Sequence, residues 1–289
     1  MNSRENSRER DSAEGLSNQQ KIWKGISVLL YSLRPLLLYI IVPALVTMLG
    51  NLLLGGRDTR EIIQESGNFY YTLGILATFY ILYRQSKKRG SSLKEDVTLE
   101  YRGLERRKLL TLIGIGFGFG IFFSSVITVV PFPEVLMQSY LSSSEAVKDG
   151  TDPLLALLST ILLAPVVEEI IFRGYMLNRL FSWFDEKAGI LIASAVFALC
   201  HVSLIWMVYA FLMGIMLAKV SVEEDNIAYS IALHMGFNLN VLPIWVVNHI
   251  PAWKQLFFSS HGMIALYGGG ACFLAVWLLK SYRKETTLW

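Results

Sequence analysis

Charge is the first thing this sequence lacks. Asp, Glu, Lys and Arg make up 17% of its 289 residues, whereas 53% are hydrophobic and the mean hydropathy is +0.45. Soluble domains carry about 25% charged residues, so a water-soluble globular fold does not fit. Cysteine is scarce too. Cys200 and Cys272 both lie in apolar runs and are expected as buried small hydrophobes rather than a disulfide. Cys200 adjoins His201, but helix neighbours point about 100° apart, an awkward geometry for a nucleophile and its base. Alternating-polarity strands of the kind a membrane barrel needs are missing. So is a strong excess of one charge: the net charge is +3, spread along the loops, which gives nucleic acid no patch to bind. No small-residue cleavage site closes the first apolar run. The polar stretch before it is too long and too mixed in charge for the start of a signal peptide.

What the chain has instead is apolar sequence long enough to cross a bilayer, repeated along nearly its whole length. The runs predict about eight spans, near 35–55, 68–84, 108–131, 152–176, 188–203, 205–221, 227–247 and 262–281. The expected fold is therefore all-α, a polytopic integral membrane helical bundle. The first span is expected to start at 35 or earlier, near Ile26, as an interfacial segment carrying Arg34. The fifth and sixth are short and separated only by Val202, Ser203 and Leu204, which predicts a tight hairpin or helices that do not both cross. Residues 1–22 are polar and expected to be disordered.

Lysine and arginine bias sets the orientation. The segment between the second and third expected spans holds Arg84, Lys87, Lys88, Arg89, Lys94, Arg102, Arg106, Arg107 and Lys108. Placing that segment in the cytoplasm puts both termini there as well. Arg173 and Arg179 then fall near the cytoplasmic end of the fourth span. The glycine-rich run Gly114-Ile115-Gly116-Phe117-Gly118-Phe119-Gly120 has no strand before it and so no dinucleotide-binding context. Gly114/Gly118 and Gly116/Gly120 read as small-residue pairs for close helix packing.

Against this apolar background three polar clusters stand out, each within an expected span. The first is Glu168-Glu169 followed by Arg173. A carboxylate in hydrocarbon costs on the order of 2.5–3.5 kcal/mol, so an intramembrane acidic pair marks a functional site by default. Glu169 and Arg173 are four apart and share a helix face, acid first, so they are expected to pair. Glu168 points toward the face of Phe172 and Tyr175. Pro165, just upstream, removes a backbone donor and can admit a bend and water. The second cluster is Phe197 and His201, again four apart, and the third is His234 and Asn238 at the same spacing. Each of the last two has an ordinary reading, as a satisfied core histidine or as interhelical hydrogen bonding. Taken together, two histidines, an asparagine and a carboxylate are the parts needed to activate water and stabilise an oxyanion. Elsewhere the spans' polar residues are mostly Ser, Thr and Tyr. His249 and His261 fall in a loop and are set aside.

At these residues the sequence resembles the CAAX-protease and bacteriocin-processing family, also called the Abi family, to which the type II CAAX prenyl endopeptidases belong. That family carries Glu-Glu-x-x-x-Arg, Phe-x-x-x-His and His-x-x-x-Asn/Asp in this order. Here they are Glu168-Glu169 to Arg173, Phe197 to His201 and His234 to Asn238, over roughly residues 150–245. The N-terminal half carries no motif of this kind. The division expected from this is a cytoplasmic tail 1–22, N-terminal transmembrane helices 23–150, a catalytic core 151–247, and a last helix and tail 248–289.

The resemblance implies an intramembrane endopeptidase. Glu168 and His201 activate a water, His234 and Asn238 form the oxyanion hole, and Glu169, Arg173 and Phe197 support the site. The implied substrate is a peptide or membrane protein, of the prenylated kind or a leader peptide, met in the lipid bilayer. No cofactor is expected. Zinc on Glu168, His201 and His234 is the alternative, although no His-Glu-x-x-His helix is present. A non-catalytic role in bacteriocin self-immunity or as a scaffold belongs to the same family. A transporter has less behind it, because no inverted repeat or paired broken helices are visible.

Overall fold

A computed structural model describes residues 15–53, 59–148, 153–257 and 260–286. Among the described residues there are helices and no strand. The chain runs α1 (Asn18–Ser32), α2 (Arg34–Leu53), α3 (Thr59–Lys88), the single turn α4 (Leu93–Asp96), α5 (Arg106–Val129) and α6 (Glu134–Lys148). A composite helix α7 covers 153–180. Then come α8 (Glu186–Leu199), α9 (Leu204–Glu223), α10 (Ile227–Asn238), α11 (Val241–His249), α12 (Pro251–Phe257) and α13 (His261–Thr286).

Local chemistry explains the boundaries. Ser17 caps α1 with its hydroxyl on the Gln20 amide at 3.3 Å, and the Gln20 side chain answers on the Ser17 amide at 2.9 Å. The polar tail expected through residue 22 is therefore helical from Asn18 on, and residues 1–14 lie outside the described residues. The Asp185 carboxylate accepts from the Ala188 amide at 2.8 Å to open α8, and Asn226 accepts from the Ala228 amide at 3.0 Å to open α10.

Among the described residues, five helical stretches are long and apolar enough to cross a membrane: Asn18–Gly50, Arg106–Val129, Leu154–Leu180, Leu204–Glu223 and His261–Arg283. The count of about eight is not confirmed. The expected span 68–84 lies in α3, whose tyrosines dilute its hydropathy. The expected spans near 188–203 and 227–247 begin as helices of 14 and 12 residues. At 1.5 Å per residue these rise about 21 and 18 Å, less than a hydrocarbon core of about 30 Å. The second is interrupted at Leu239-Asn240 before α11 begins. Large apolar side chains stay exposed along α2 (Leu37, Ile40, Ile41, Leu45, Met48) and α13 (Leu266, Phe273, Leu274, Trp277), as lipid-facing surfaces do and water-facing ones rarely do.

α7 sits at the centre and touches α2, α3, α8, α9 and α10. Its Ile170, Ile171, Phe172, Met176, Leu177 and Leu180 are all at most 1% exposed and form the middle of the larger core. A second core joins α5, α9 and α10 through Leu112, Ile115, Met213, Leu217 and Leu233. The glycine run of α5 serves two partners. Gly116 abuts the backbone of α10 at Leu233 and Phe237, while Gly118 abuts α13 at Ala271 and Ala275. On α10, Gly236 returns the contact against the backbone of Ile113. The packing role expected for these glycines thus holds, with each set facing a different helix.

A methyl group at Gly116 meets the Leu233 carbonyl oxygen head-on, whereas one at Gly270 of α13 meets nothing within 4 Å. Gly116→Val is expected to cost about 1–3 kcal/mol as an overpacking change, and Gly270→Ala to be neutral or mildly stabilising. Thermal unfolding of the two variants in detergent checks the contrast.

Candidate active site

The site is built on an irregular stretch of α7. Residues Pro153–Leu158 are α-helical, Ser159–Leu163 form wide π turns, Ala164–Glu169 return to α geometry, and Ile170–Leu177 are π again. In the first π run the Ala164 amide bonds five residues back, to the Ser159 carbonyl. Pro165 follows directly and has no amide to offer, so the usual ladder is already interrupted there. Such wide turns are uncommon and collect at functional sites.

Glu169 and Arg173 pair as their spacing predicts, Nη1 to Oε1 at 2.7 Å, with side chains 0% and 1% exposed. The guanidinium also donates from Nη2 to the Gly214 carbonyl of α9 at 3.1 Å and lies 4.7 Å from the centroid of the Phe197 ring of α8. A third partner reaches the same carboxylate oxygen: His234 Nδ1 stands 2.9 Å from Glu169 Oε1. A carboxylate paired with arginine only accepts, so this contact puts the proton on Nδ1 and turns Nε2 outward. Phe197 packs edge-on to the His234 ring at 5.8 Å and to Phe172 at 5.0 Å, which fixes the imidazole on its flank.

His234 Nε2 faces the other glutamate, 3.7 Å from Glu168 Oε2. That is too long for a direct hydrogen bond and suits a shared water. The opposite oxygen of Glu168 is held: Tyr39 of α2 donates to Oε1 at 2.9 Å, and the Tyr39 hydroxyl meets Tyr71 of α3 at 3.1 Å. One oxygen of Glu168 is therefore anchored while the other turns toward the imidazole. Its side chain is 18% exposed, against 0% for Glu169.

The remaining expected residues are nearby but differently engaged. His201 sits just past the end of α8, its Nδ1 3.0 Å from the Phe197 carbonyl and its ring 5.1 Å from the Phe197 ring. No hydrogen bond or ion pair joins His201 to Glu168 among the described residues. Asn238, the last residue of α10, donates from Nδ2 to the Thr160 carbonyl at 2.9 Å, in the first π run of α7. The structure thus gathers Glu168, Glu169, Arg173, His234 and Phe197 into one contact network. It holds Asn238 against α7 and leaves His201 across the Phe197 ring. No group of three or more His, Cys, Asp or Glu side chains suited to a metal ion occurs among the described residues. Glu168 and His234 are the pair that faces a common space. Cys200 departs from expectation: it is exposed rather than buried, its thiol directed to the Val196 carbonyl at 3.3 Å, and Cys272 is half-buried. The end of α8 presents Leu199, Cys200 and Val202 outward together.

Tyr39 and Tyr71 are the residues that sequence reading passed over, because tyrosine is cheap in a span and the N-terminal half carries no recognised motif. The contact with Gly214 is a backbone contact and has no side-chain signature.

Residues 150–240 match a family model described as Type II CAAX prenyl endopeptidase Rce1-like. The match covers the three motifs and agrees with the resemblance they carry. No curated protein and no solved structure gives a match to the chain.

Removing one member of a buried ion pair leaves an uncompensated charge, at about 3–5 kcal/mol. Arg173→Met is therefore expected to destabilise severely. The double change Glu169→Gln with Arg173→Met is expected to recover part of the loss. Thermal unfolding of both single variants and the double variant gives the coupling energy. Additive losses would show that the two groups do not depend on each other.

Proposed function

We propose that this protein is a glutamate-dependent intramembrane endopeptidase that hydrolyses a peptide bond of a membrane-associated or prenylated-type protein, or of a leader peptide. At the coarser level, the match over 150–240 points to a CAAX-type membrane protease. The observation that carries the finer reading is the state of Glu168: one oxygen fixed by Tyr39, the other turned to His234 Nε2 across 3.7 Å.

A water bound beside Glu168 Oε2 and the imidazole, within reach of both, loses a proton to the carboxylate as its oxygen attacks the peptide carbonyl. The carbonyl oxygen becomes an oxyanion, and donors aimed at it are worth roughly 2.7–4 kcal/mol each. Asn238, with one amide hydrogen committed to Thr160 and the second free, is one donor. As the imidazolium, with Nδ1–H on Glu169, His234 is the other: its Nε2–H passes from the water to the oxyanion as the water attacks. The protonated Glu168 then returns its proton to the amide nitrogen as the carbon–nitrogen bond breaks, which gives a carboxylic acid and an amine that exchange a proton to leave as carboxylate and ammonium, with the enzyme unchanged. No acyl-enzyme forms, because water attacks directly. His201 lies across Phe197 from the imidazole, and the family resemblance gives it a share in activating the water.

The chain is read as a multi-pass protein of the cell membrane with both termini in the cytoplasm, from the basic residues between Arg84 and Lys108. The reaction as written needs no cofactor.

Cleavage of a quenched peptide library by the purified protein in lipid tests this reading. Glu168→Gln keeps the shape of the side chain and removes the base, so turnover is expected to fall by about 10²–10⁴ while unfolding stays close to wild type. Unchanged cleavage by that variant would sink the proposal. Loss of wild-type activity on treatment with a chelator, restored by zinc, would move the chemistry to a metal. A well-folded wild type that cleaves nothing shifts the weight to an immunity or scaffold role. Tyr39→Phe, which removes a hydrogen bond to a charged group worth about 1.5–3 kcal/mol, is expected to lower kcat more than it raises KM and to displace the pH profile of kcat.

A further inference from the structure

Away from the glutamates, the end of α1, the start of α2, the end of α3, the turn α4 and the last turns of α7 line a half-open cavity of about 920 Å³. Its walls divide by chemistry. One side is hydrocarbon, including Leu37, Leu38 and Ile41 of α2 and Leu82 of α3; the rim carries Arg34, Lys88 and Arg179. Two of these cations converge on one ring: the Arg34 guanidinium lies 4.1 Å and that of Arg179 5.0 Å from the centroid of Tyr31.

The acids that share the lining do not neutralise these arginines. Asp96 is taken by Arg89 at 2.7 Å and by the Ser86 hydroxyl at 2.6 Å. Glu95 is turned to the Ser92 amide at 3.0 Å, where it completes the capping box of α4. Neither Arg34 nor Arg179 has a carboxylate partner among the described residues. Arg179 Nε is buried with no hydrogen-bond partner. Two like charges gathered on one ring, with no carboxylate partner for either among the described residues, make a seat for an anion. Guanidinium forks match phosphate oxygens in particular.

The apolar wall separates a lipid from a free ion. It continues from the arginines along α2 in the direction an acyl chain takes from its headgroup, and Leu37 and Ile41 are 51% and 48% exposed along it. The ends of α2, α3 and α7 that meet here carry the basic residues of the orientation bias, so the rim falls at headgroup level beside the more anionic leaflet. We propose that this cavity binds one anionic phospholipid, with its phosphate between Arg34 and Arg179 and an acyl chain along Leu38 and Ile41.

Native mass spectrometry of the full chain, stripped of lipid in detergent and titrated with phosphatidylglycerol or phosphatidylcholine of the same chain length, tests this. Wild type is expected to take up one phosphatidylglycerol in preference to phosphatidylcholine. Arg34→Gln and Arg179→Gln are each expected to weaken phosphatidylglycerol binding about five-fold, and together about 25-fold, with phosphatidylcholine little changed. Ile41→Trp fills the apolar wall, keeps both arginines and is expected to weaken both lipids. Lys280→Gln, on α13 and outside the cavity, is the control and is expected to bind as wild type. Size-exclusion profiles and thermal unfolding identify any variant that fails to fold, and the remaining variants then decide. Equal affinity of wild type for the two lipids overturns the proposal, as does a folded double variant that binds phosphatidylglycerol like wild type. Displacement of phosphatidylglycerol by millimolar inorganic phosphate, with no effect of Ile41→Trp, also overturns it and reassigns the site to a free phosphate.

Discussion

A guanidinium and a carboxylate with almost no solvent contact must satisfy each other, because the interior offers neither of them a substitute for water. In this protein that requirement falls on Glu169 and Arg173, and the neighbouring helices arrange themselves around it. The arginine needs a second acceptor and finds the Gly214 carbonyl, so α9 must run close to α7. At that glycine α9 also lies tight against Ser194 of α8. The flank of the guanidinium needs cover, which Phe197 of α8 supplies. The carboxylate takes a second donor from His234, so α10 docks with its imidazole inward. Four helices are thereby fixed to one another through a single charged contact.

The local part of this arrangement was legible in the sequence. Spacing of four put Glu169 with Arg173, Phe197 with His201, and His234 with Asn238; the first two pairs meet although Arg173 lies in a π run and His201 lies past the end of α8, and His234 and Asn238 both reach α7. The tandem glycines of α5 also read correctly as packing positions. What did not show was anything set by the meeting of distant segments. Tyr39 and Glu168 are 129 residues apart, and a tyrosine in an apolar run carries no mark that separates an anchoring hydroxyl from a lipid-facing one. The π turns of α7 were hidden for a different reason. Pro165 announced a fault in the hydrogen-bond ladder but not the direction in which the helix relaxes around it. Cys200 failed because an apolar run does not say which of its residues face the core.

The boundary between crossing and non-crossing helices was also out of reach, and the reason bears on the site. Composition sees α8, the following turn and α9 as nearly continuous apolar sequence, and α10 with α11 likewise. The backbone instead stops α8 at Leu199 and α10 at Asn238. Both stops occur within one or two residues of a motif residue, His201 in one case and Asn238 in the other. Backbone groups released by a helix end inside an apolar bundle need partners from protein or trapped water. The Phe197 carbonyl is met by His201 Nδ1, and the Thr160 carbonyl, in the π run of α7, is met by Asn238. The same residues that the motifs single out therefore close gaps in the backbone hydrogen bonding. They are tied in position before any substrate is considered.

The two adjacent glutamates can be told apart on structural grounds, which spacing alone did not allow. A general base needs an oxygen that can reach water and a lone pair not already spent. Glu169 has no oxygen that reaches water: its side chain is 0% exposed, its Oε1 receives both the guanidinium and the imidazole, and its Oε2 is buried without a hydrogen-bond partner. Protonating it would leave Arg173 buried without a counter-charge, so its role in the cluster is to remain ionised. Glu168 is free of that obligation. It has no ion pair with Arg173, its Oε1 is steadied by one tyrosine, and its Oε2 stands 3.7 Å from the imidazole Nε2, without a direct hydrogen bond. Glu168 is thus the acid left outside the buried ion pair, and the acid beside it supplies the fixed charge against which His234 is oriented. That contrast supports the proposed reading of Glu168 as the base, and it does so from contacts of this chain rather than from the family match.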